Sequence, residues 1–258
     1  MILDKIVENK KREIEKNRKF YKELADKVKN VPPVRNFLSA ISSPDKVNLI
    51  AEIKRFSPSS PEPIREFDAV DIAHTYELNG ASALSILTDR DYFGGGFEVL
   101  AQVKNSIEIP VLCKDFIIDE SQIYAARYYG ADAILLIVRI LKDEEIKKFM
   151  NVADSLGMDS LVEVHSQQEL ERALGAGAKI IGINNRDLNT LKVRLNTTLE
   201  LVEHISGDRV IVSESGIKTR EDVLKLKNAG VNAILVGDAL LRSSDIAAKI
   251  KELGGVRS

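Results

Sequence analysis

Short apolar runs and longer amphipathic stretches alternate from residue 47 almost to the end of the chain. The runs Val47–Ile53, Ala83–Leu87, Val111–Cys113, Ala133–Val138, Ser160–Val164, Ile180–Ile183, Val210–Val212 and Ala233–Val236 carry little internal polarity. They predict strands buried on both faces, as in a parallel sheet. Between them, helical spacing falls over Asp68–Asn79, Ser121–Gly130, Asp143–Leu156, Gln167–Leu174, Thr198–Ile205 and Arg220–Ala229. Gly80, Gly130, Gly157, Gly175 and Gly230 stand where helix C-termini favour glycine. Eight strands alternating with helices predict an α/β fold, the (β/α)8 TIM barrel. A doubly wound open sheet is the competing arrangement, and no Gly-x-Gly-x-x-Gly follows the first strand to support it.

Residues 1–46 precede the alternation. Ile2, Leu3, Ile6, Val7, Ile14, Phe20, Tyr21, Leu24 and Val28 recur at helical spacing among interleaved Lys and Glu. That pattern predicts a helix with a solvated, ion-paired face rather than a polyanion-binding arm. Pro32-Pro33 ends it, and Val34–Ile41 reads as a second short helix ended by Ser42-Ser43-Pro44. A separate domain of this size would have a thin core. The expected organisation is therefore one barrel domain over residues 1–258, with residues 1–46 an N-terminal helical extension packed on it.

Composition narrows the partners. The chain has 258 residues, 44% hydrophobic and 29% charged, a balance ordinary for an enzyme. A formal net charge of −2 gives no basic field for nucleic acid. The single Cys113 excludes an internal disulfide framework and suits a reducing cytosol. Met1 is followed by Asp4, Lys5 and Glu8, with no apolar signal segment, and no run approaches the roughly 20 residues of a membrane helix. The expectation is a cytoplasmic protein, monomer or weak homodimer, acting on a small molecule without membrane or nucleic acid.

The stretch Val111-Leu-Cys-Lys-Asp-Phe116 shows where the chemistry falls, for an apolar run ends abruptly in charge. In a barrel, reactive groups stand at the C-terminal ends of the strands. Those ends are Glu52 with Lys54, Lys114, Glu163, Asn184 with Arg186, Glu214 with Ser215, and Gly237. Three carboxylates, two lysines and an arginine converging on one cavity neutralise one another or shift each other's pKa. Val212-Ser-Glu-Ser-Gly-Ile217 and Leu235-Val-Gly-Asp-Ala239 suit a phosphate: Gly216 and Gly237 admit close backbone approach, and Ser57 and Ser215 add hydroxyl donors. Tyr92-Phe-Gly-Gly-Gly96 reads as a flexible loop carrying aromatics. Phe93, Phe116, Leu135, Leu188, Ile217 and Leu235 are candidates for an apolar pocket beside the charges. No metal site is expected, because His74, His165 and His204 lack ligand spacing and read as helix or loop residues. Cys113 reads as a small core side chain. Two other readings use the same residues: a Schiff-base aldolase with Lys114 as nucleophile, and a sugar-phosphate-binding barrel that has no use for both Lys114 and Glu163.

Glu52-Ile-Lys-Arg-Phe-Ser-Pro-Ser59, Leu84-Ser-Ile-Leu-Thr88 with Tyr92-Phe-Gly94, Lys114-Asp-Phe116, Gly182-Ile-Asn-Asn-Arg-Asp-Leu188 and Ser213-Glu-Ser-Gly216 occur in that order. Together they resemble the indole-3-glycerol phosphate synthase family, from about Val34 to Leu241, and the helical extension fits it too. The resemblance implies cofactor-free conversion of 1-(2-carboxyphenylamino)-1-deoxyribulose 5-phosphate to indole-3-glycerol phosphate, with loss of carbon dioxide and water. It implies that Lys114 is the general acid at the ketone oxygen and Glu163 its partner in dehydration. It does not distribute each proton among Lys114, Glu163 and Lys54. By the same resemblance, Glu52 and Glu214 bind sugar hydroxyls and hold the lysines, Asn184 and Ser215 contact substrate, and Arg186 faces an anion. Lys54, Ser57, Ser215, Gly216, Gly237 and Asp238 fall at phosphate positions, and Phe93 and Phe116 lie against the aromatic ring. Two departures stand out. Ser60-Pro-Glu-Pro63 replaces a stretch that often carries glycine and should stiffen the first loop. Asp238 sets a carboxylate beside the phosphate site, tolerable if its side chain points away while its N–H donates.

Overall fold

The structure, a computed structural model, describes residues 1–44, 46–64, 67–188 and 190–254, so the last residues of the expected domain, 255–258, lie outside it. Among the described residues the strands are β1 (Asn48–Ile53), β2 (Ala83–Leu87), β3 (Val111–Lys114), β4 (Ala133–Ile137), β5 (Asp159–Val164), β6 (Ile180–Asn184), β7 (Val210–Glu214) and β8 (Ala233–Val236). Each pairs in parallel with the next, and β8 returns to β1 through the Asn48–Ala233 and Ile50–Leu235 registers. The closed barrel removes the open-sheet alternative.

Three helices precede the barrel: α1 (Ile2–Lys16), α2 (Arg18–Lys27) and α3 (Phe37–Ile41). The helices α4 (Ala69–Leu78), α5 (Arg90–Phe93), α6 (Phe97–Ser106), α7 (Glu120–Tyr128), α8 (Asp143–Ser155), α9 (Gln167–Ala176), α10 (Asn196–Val202), α11 (Arg220–Asn228), α12 (Asp238–Leu241) and α13 (Ile246–Leu253) follow the strands. None of the described helices is long and apolar enough to cross a membrane.

The pleat explains why the strands look apolar throughout. Ile50, Leu112, Leu135, Leu161, Val212 and Leu235 point inward and form one buried cluster. Their neighbours Leu49, Ala51, Val111, Ile134, Leu136, Val162 and Ile211 point outward and pack beneath the helices. The extension seals the barrel from both ends. Phe37 and Ile41 of α3 join the inner cluster, and the backbone N–H of Leu38 donates to Asp159 Oδ2 at the N-terminal start of β5 at 2.9 Å. At the opposite end, Leu3 and Ile6 of α1 join the same cluster.

Several expectations need correcting. The first helical stretch divides at Asn17, whose backbone and side-chain N–H groups both donate to Glu13 O, at 3.0 and 2.9 Å. The second starts at Phe37, because Asn36 caps it by accepting from Ser39 N at 2.8 Å. Helix α9 runs through Gly175 and ends at Gly177, where φ is +86°. The loop expected to be flexible at Tyr92–Gly96 is tied down. Its first turn is α5, capped by Asp89, and Gly94 N, Gly95 N and Gly96 N donate to Arg90 O, Asp89 O and Leu87 O. A Cβ at Gly95 would lie 1.9 Å from Leu87 O, so only glycine fits there.

Candidate active site

The strand-end residues follow from the same pleat. Glu52 stands two positions beyond Ile50, Lys114 beyond Leu112, Glu163 beyond Leu161 and Glu214 beyond Val212. Each inherits the inward direction one layer higher. Lys114, Asn184 and Glu214 lie within strands and not after them, because the apolar run ends one pleat before the hydrogen-bonded ladder does.

A cavity of about 1090 Å³ opens at this rim. Its lining includes all the side chains and loop positions singled out from the sequence: Glu52, Lys54, Lys114, Glu163, Asn184, Arg186, Glu214 and Ser215; Ser57, Gly216, Gly237 and Asp238; and Phe93, Phe116, Leu135, Leu188, Ile217 and Leu235. Phe93 and Phe116 form one aromatic wall, centroids 6.0 Å apart and planes 34° apart.

Lys114 occupies the middle of the charges. Its Nζ lies 3.3 Å from Glu214 Oε2, 3.7 Å from Glu163 Oε2 and 4.0 Å from Glu52 Oε2. Burial alone would lower this ammonium, but Glu214, Glu163 and Glu52 together hold it above the ordinary lysine value. Burial pushes the Glu214 carboxyl up to about 8; Lys114 opposes the rise, and Glu163 and Glu52 add to it. Burial also raises Glu52, yet Lys54 and Lys114 pull it net below the usual carboxylate range. The rim thus combines a charged lysine, an ionised Glu52 and a Glu214 that keeps its proton toward neutral pH. Among the described residues no group of three or more His, Cys, Asp or Glu could hold a metal ion. Cys113 is buried in the core, its thiol pushed up to about 12 by burial.

Glycine and strained backbone shape the other side. A Cβ at Gly237 would lie 2.5 Å from Glu52 Oε1, and one at Gly216 would lie 2.5 Å from Val193 Cγ1. Ser215, at φ +65°, adopts the left-handed region that a non-glycine residue enters only under constraint. That constraint is Asn185, whose Nδ2 donates to Ser213 Oγ, Glu214 O and Ser215 O at 3.1, 3.0 and 3.0 Å. In the first loop Ser57 and Ser60 exchange backbone hydrogen bonds of 3.0 and 2.9 Å. The expectation for Asp238 is corrected. Its carboxylate does not point away but turns to Lys54, Oδ1 to Nζ 3.4 Å, while Lys54 also bonds Glu52 Oε1 at 2.7 Å. Among the described residues Lys54 is the one cation that pairs with that acid at the start of α12, and attraction draws the side chain inward.

Sequence reasoning missed three groups. Ile2, Leu3 and Ile6 of α1 line the cavity. Lys10, assigned to a solvated face, is fully buried against Glu13, Asp89 and Asp115. His165, set aside as a loop residue, lies 3.3 Å from Glu163. Pattern carried a signal for two of these. Lys10 sits on the Leu3–Ile6 stripe of α1, and His165 shares its inward parity with Glu163.

A closed parallel barrel whose strand ends gather acid and amine groups into one cavity is a (β/α)8-barrel enzyme. The matches to known proteins make the class particular. The profile described as indole-3-glycerol phosphate synthase matches residues 3–253. The indole-3-glycerol phosphate synthase of Chloroherpeton thalassium is 47% identical over 95% of this chain and 96% of its own. That of Acetivibrio thermocellus is 46% identical over 99% and 100%, and that of Caldanaerobacter subterraneus subsp. tengcongensis 48% identical over 98% and 97%. The chain belongs to the indole-3-glycerol phosphate synthase family. Among solved structures, 3-hexulose-6-phosphate synthase of Salmonella typhimurium aligns at TM-score 0.66 and 13% identity, over 80% of this chain and 96% of its own. At that identity the likeness concerns the fold alone.

Proposed function

We propose that the rim around Lys114 carries out the reaction of this family: ring closure of 1-(2-carboxyphenylamino)-1-deoxyribulose 5-phosphate to indole-3-glycerol phosphate in tryptophan biosynthesis. The observation that carries this reading is the placement of one charged lysine within 4.0 Å of three carboxylates at the mouth of a cavity with an aromatic wall.

The chemistry follows from the distances. The carboxyl-bearing aromatic carbon attacks the ketone carbon, and negative charge develops on the ketone oxygen. Lys114 donates a proton there, and the wall of Phe93 and Phe116 presses the ring toward the carbonyl. Loss of carbon dioxide returns the electron pair to the ring. The new hydroxyl then leaves as water, which needs a donor at that oxygen and an acceptor for the ring-carbon or nitrogen proton. Glu163 serves this step, with Lys54 within reach through Glu52. Glu52 and Glu214 hold the lysines and the sugar hydroxyls, Asn184 and Ser215 contact the sugar chain, and Arg186 faces the substrate carboxylate. The phosphate sits against Lys54, Ser57 and the backbone of Ser215, Gly216, Gly237 and Asp238, displacing Asp238 from Lys54. Phe93, Phe116, Leu135, Leu188, Ile217 and Leu235 hold the aromatic ring.

A Schiff-base role for Lys114 needs a neutral amine, which three facing carboxylates disfavour. The lone buried Cys113 and the absence of a spanning helix among the described residues accord with a cytosolic enzyme, and the scatter of exposed large apolar side chains over several elements accords with a monomer or weak dimer. The test is a fluorescence assay for indole-3-glycerol phosphate with purified protein. Wild type forms product, and Lys114→Ala loses about 100- to 10,000-fold in turnover while keeping its circular dichroism spectrum. A folded Lys114→Ala protein with wild-type turnover rejects the assignment.

A further inference from the structure

Glu163 has two carboxylate oxygens and two neighbours of different kinds. Oε2 faces Lys114 at 3.7 Å, and Oε1 faces His165 Nε2 at 3.3 Å. The imidazole stands at the exit of β5, two residues beyond Glu163 and on the same face, with a side chain only 3% exposed. It is held from behind. Glu169, in the first turn of α9, accepts from His165 N at 2.7 Å, and its Oε2 lies 3.1 Å from His165 Nδ1. Its Oε1 accepts from Arg139 Nε at 2.7 Å, and Arg139 follows β4. A chain of contacts therefore runs from half-buried Arg139 through Glu169 and His165 to Glu163 and ends at Lys114. No step described above uses Glu169 or His165.

We infer that His165 is a positioning residue for the reaction: anchored by Glu169, its ring holds Glu163 off a closed ion pair with Lys114. This rests on the acid–base role given to Glu163. A free carboxylate beside a buried ammonium closes to a hydrogen-bonded pair of about 2.8 Å. Such a pair occupies both the acid and the base. Here three carboxylates share the ammonium, the imidazole competes for Oε1, and the carboxylate stops at 3.7 Å from Lys114. The Nε2 atom makes no aligned hydrogen bond among the described residues, and Glu163 is its nearest acid at 3.3 Å. The anchor itself is firm. Burial works to raise Glu169, but His165 and Arg139 bring its carboxyl down to about 2, so it stays ionised behind the ring.

The two ring nitrogens permit a test that separates positioning from scaffolding. His165→Gln retains an N–H at the reach of Nε2, toward Glu163. His165→Asn retains one at the reach of Nδ1, toward Glu169. His165→Ala has neither. With steady-state assays of indole-3-glycerol phosphate formation, kcat of the Ala and Asn variants falls about tenfold or more, KM moves less than about threefold, and Gln restores most of kcat. In a Glu163→Gln background, adding His165→Ala produces no further loss, because the residue acts through the missing carboxylate. Should the Ala variant not fold, the Gln and Asn variants decide between them. Wild-type kcat in the Asn variant, rescue by Asn instead of Gln, or a further tenfold loss in the double variant overturns the inference. Glu163→Gln with wild-type turnover strikes instead at the role of Glu163 itself, and is read from that single variant alone.

Discussion

Lys10, which is buried, and Lys114, which is half-buried, each face three carboxylates, and they stand on either side of one short segment, since Asp115 pairs with Lys10 and follows Lys114. Their geometry separates them. Lys10 Nζ has Glu13 at 2.7 Å, Asp89 at 3.0 Å and Asp115 at 3.1 Å, and its side chain has no exposure. An ammonium has three N–H donors; in Lys10 one bonds Glu13 Oε2, and two more carboxylates stand at close ion-pair distance. Lys114 has its nearest carboxylate at 3.3 Å and the next at 3.7 and 4.0 Å, and it looks into the cavity. The same residue type with the same count of acids makes a staple in one place and a reactive donor in the other. The distinguishing quantities are how closely the acids approach the ammonium and whether it faces the cavity.

What Lys10 staples is specific. Asp89 caps α5, the turn that carries Phe93, by accepting from Tyr92 N at 2.8 Å. Asp115 accepts from Thr88 Oγ1 at 2.8 Å and from its own neighbour Phe116 N at 2.7 Å. One buried cation on α1 thus joins the bases of the loops after β2 and β3, which hold the two rings of the aromatic wall.

The comparison breaks most visibly under substitution. Lys10→Met leaves Asp89 and Asp115 buried without their cation, and we expect a loss of about 3–5 kcal/mol in unfolding free energy, read by urea titration. Its turnover at a temperature where it remains folded should stay far above that of Lys114→Ala. Unchanged stability would mean that the cluster is not a staple. A smaller effect follows from backbone approach at the open cluster. In Gly237→Ala a Cβ would crowd Glu52 Oε1 at 2.5 Å, and KM should rise about tenfold, roughly 1.4 kcal/mol, with kcat little changed. A KM equal to wild type would place the phosphate elsewhere. A further effect concerns pH. Folded Glu214 keeps its proton up to about pH 8, whereas an unfolded glutamate releases it near about 4.3. Between those values the native state binds more protons than the unfolded chain. The contribution of Glu214 to stability therefore falls as pH rises, by at most about 1.4 kcal/mol per unit. Glu214→Gln should flatten that part of the stability profile between about pH 5 and 8, and an identical profile in both proteins would show that Glu214 is ionised throughout.

Much of this was legible from alternation alone. The parity that buries Val212 also aims Glu214 inward, and Leu161 with Glu163 and Leu112 with Lys114 repeat the rule. The rim was therefore readable from strand ends without knowing the register, because a closed barrel gives all its strands one common interior. Lys10 was misread because density of Lys and Glu suggested a solvated face, although its spacing from Leu3 and Ile6 placed it on the buried stripe. His165 was set aside on ligand spacing, a criterion for metals that says nothing about a ring between two carboxylates. The tied loop at Gly94–Gly96 was not legible at all, because its order depends on carbonyls of Leu87 and Asp89 that a sequence does not place. The turn of Asp238 toward Lys54 belongs to the same class, a contact between β1 and the start of α12 that only the closing of the barrel creates.

The most direct measurement is the single-turnover rate of indole-3-glycerol phosphate formation, followed by product fluorescence in wild type, Lys114→Ala and Lys10→Met under conditions where all three are folded. Loss of the chemical step by orders of magnitude in Lys114→Ala, with Lys10→Met within about tenfold of wild type, is the predicted result. Equal losses in the two variants, or a folded Lys114→Ala protein that turns over at the wild-type rate, would contradict the division between staple and donor.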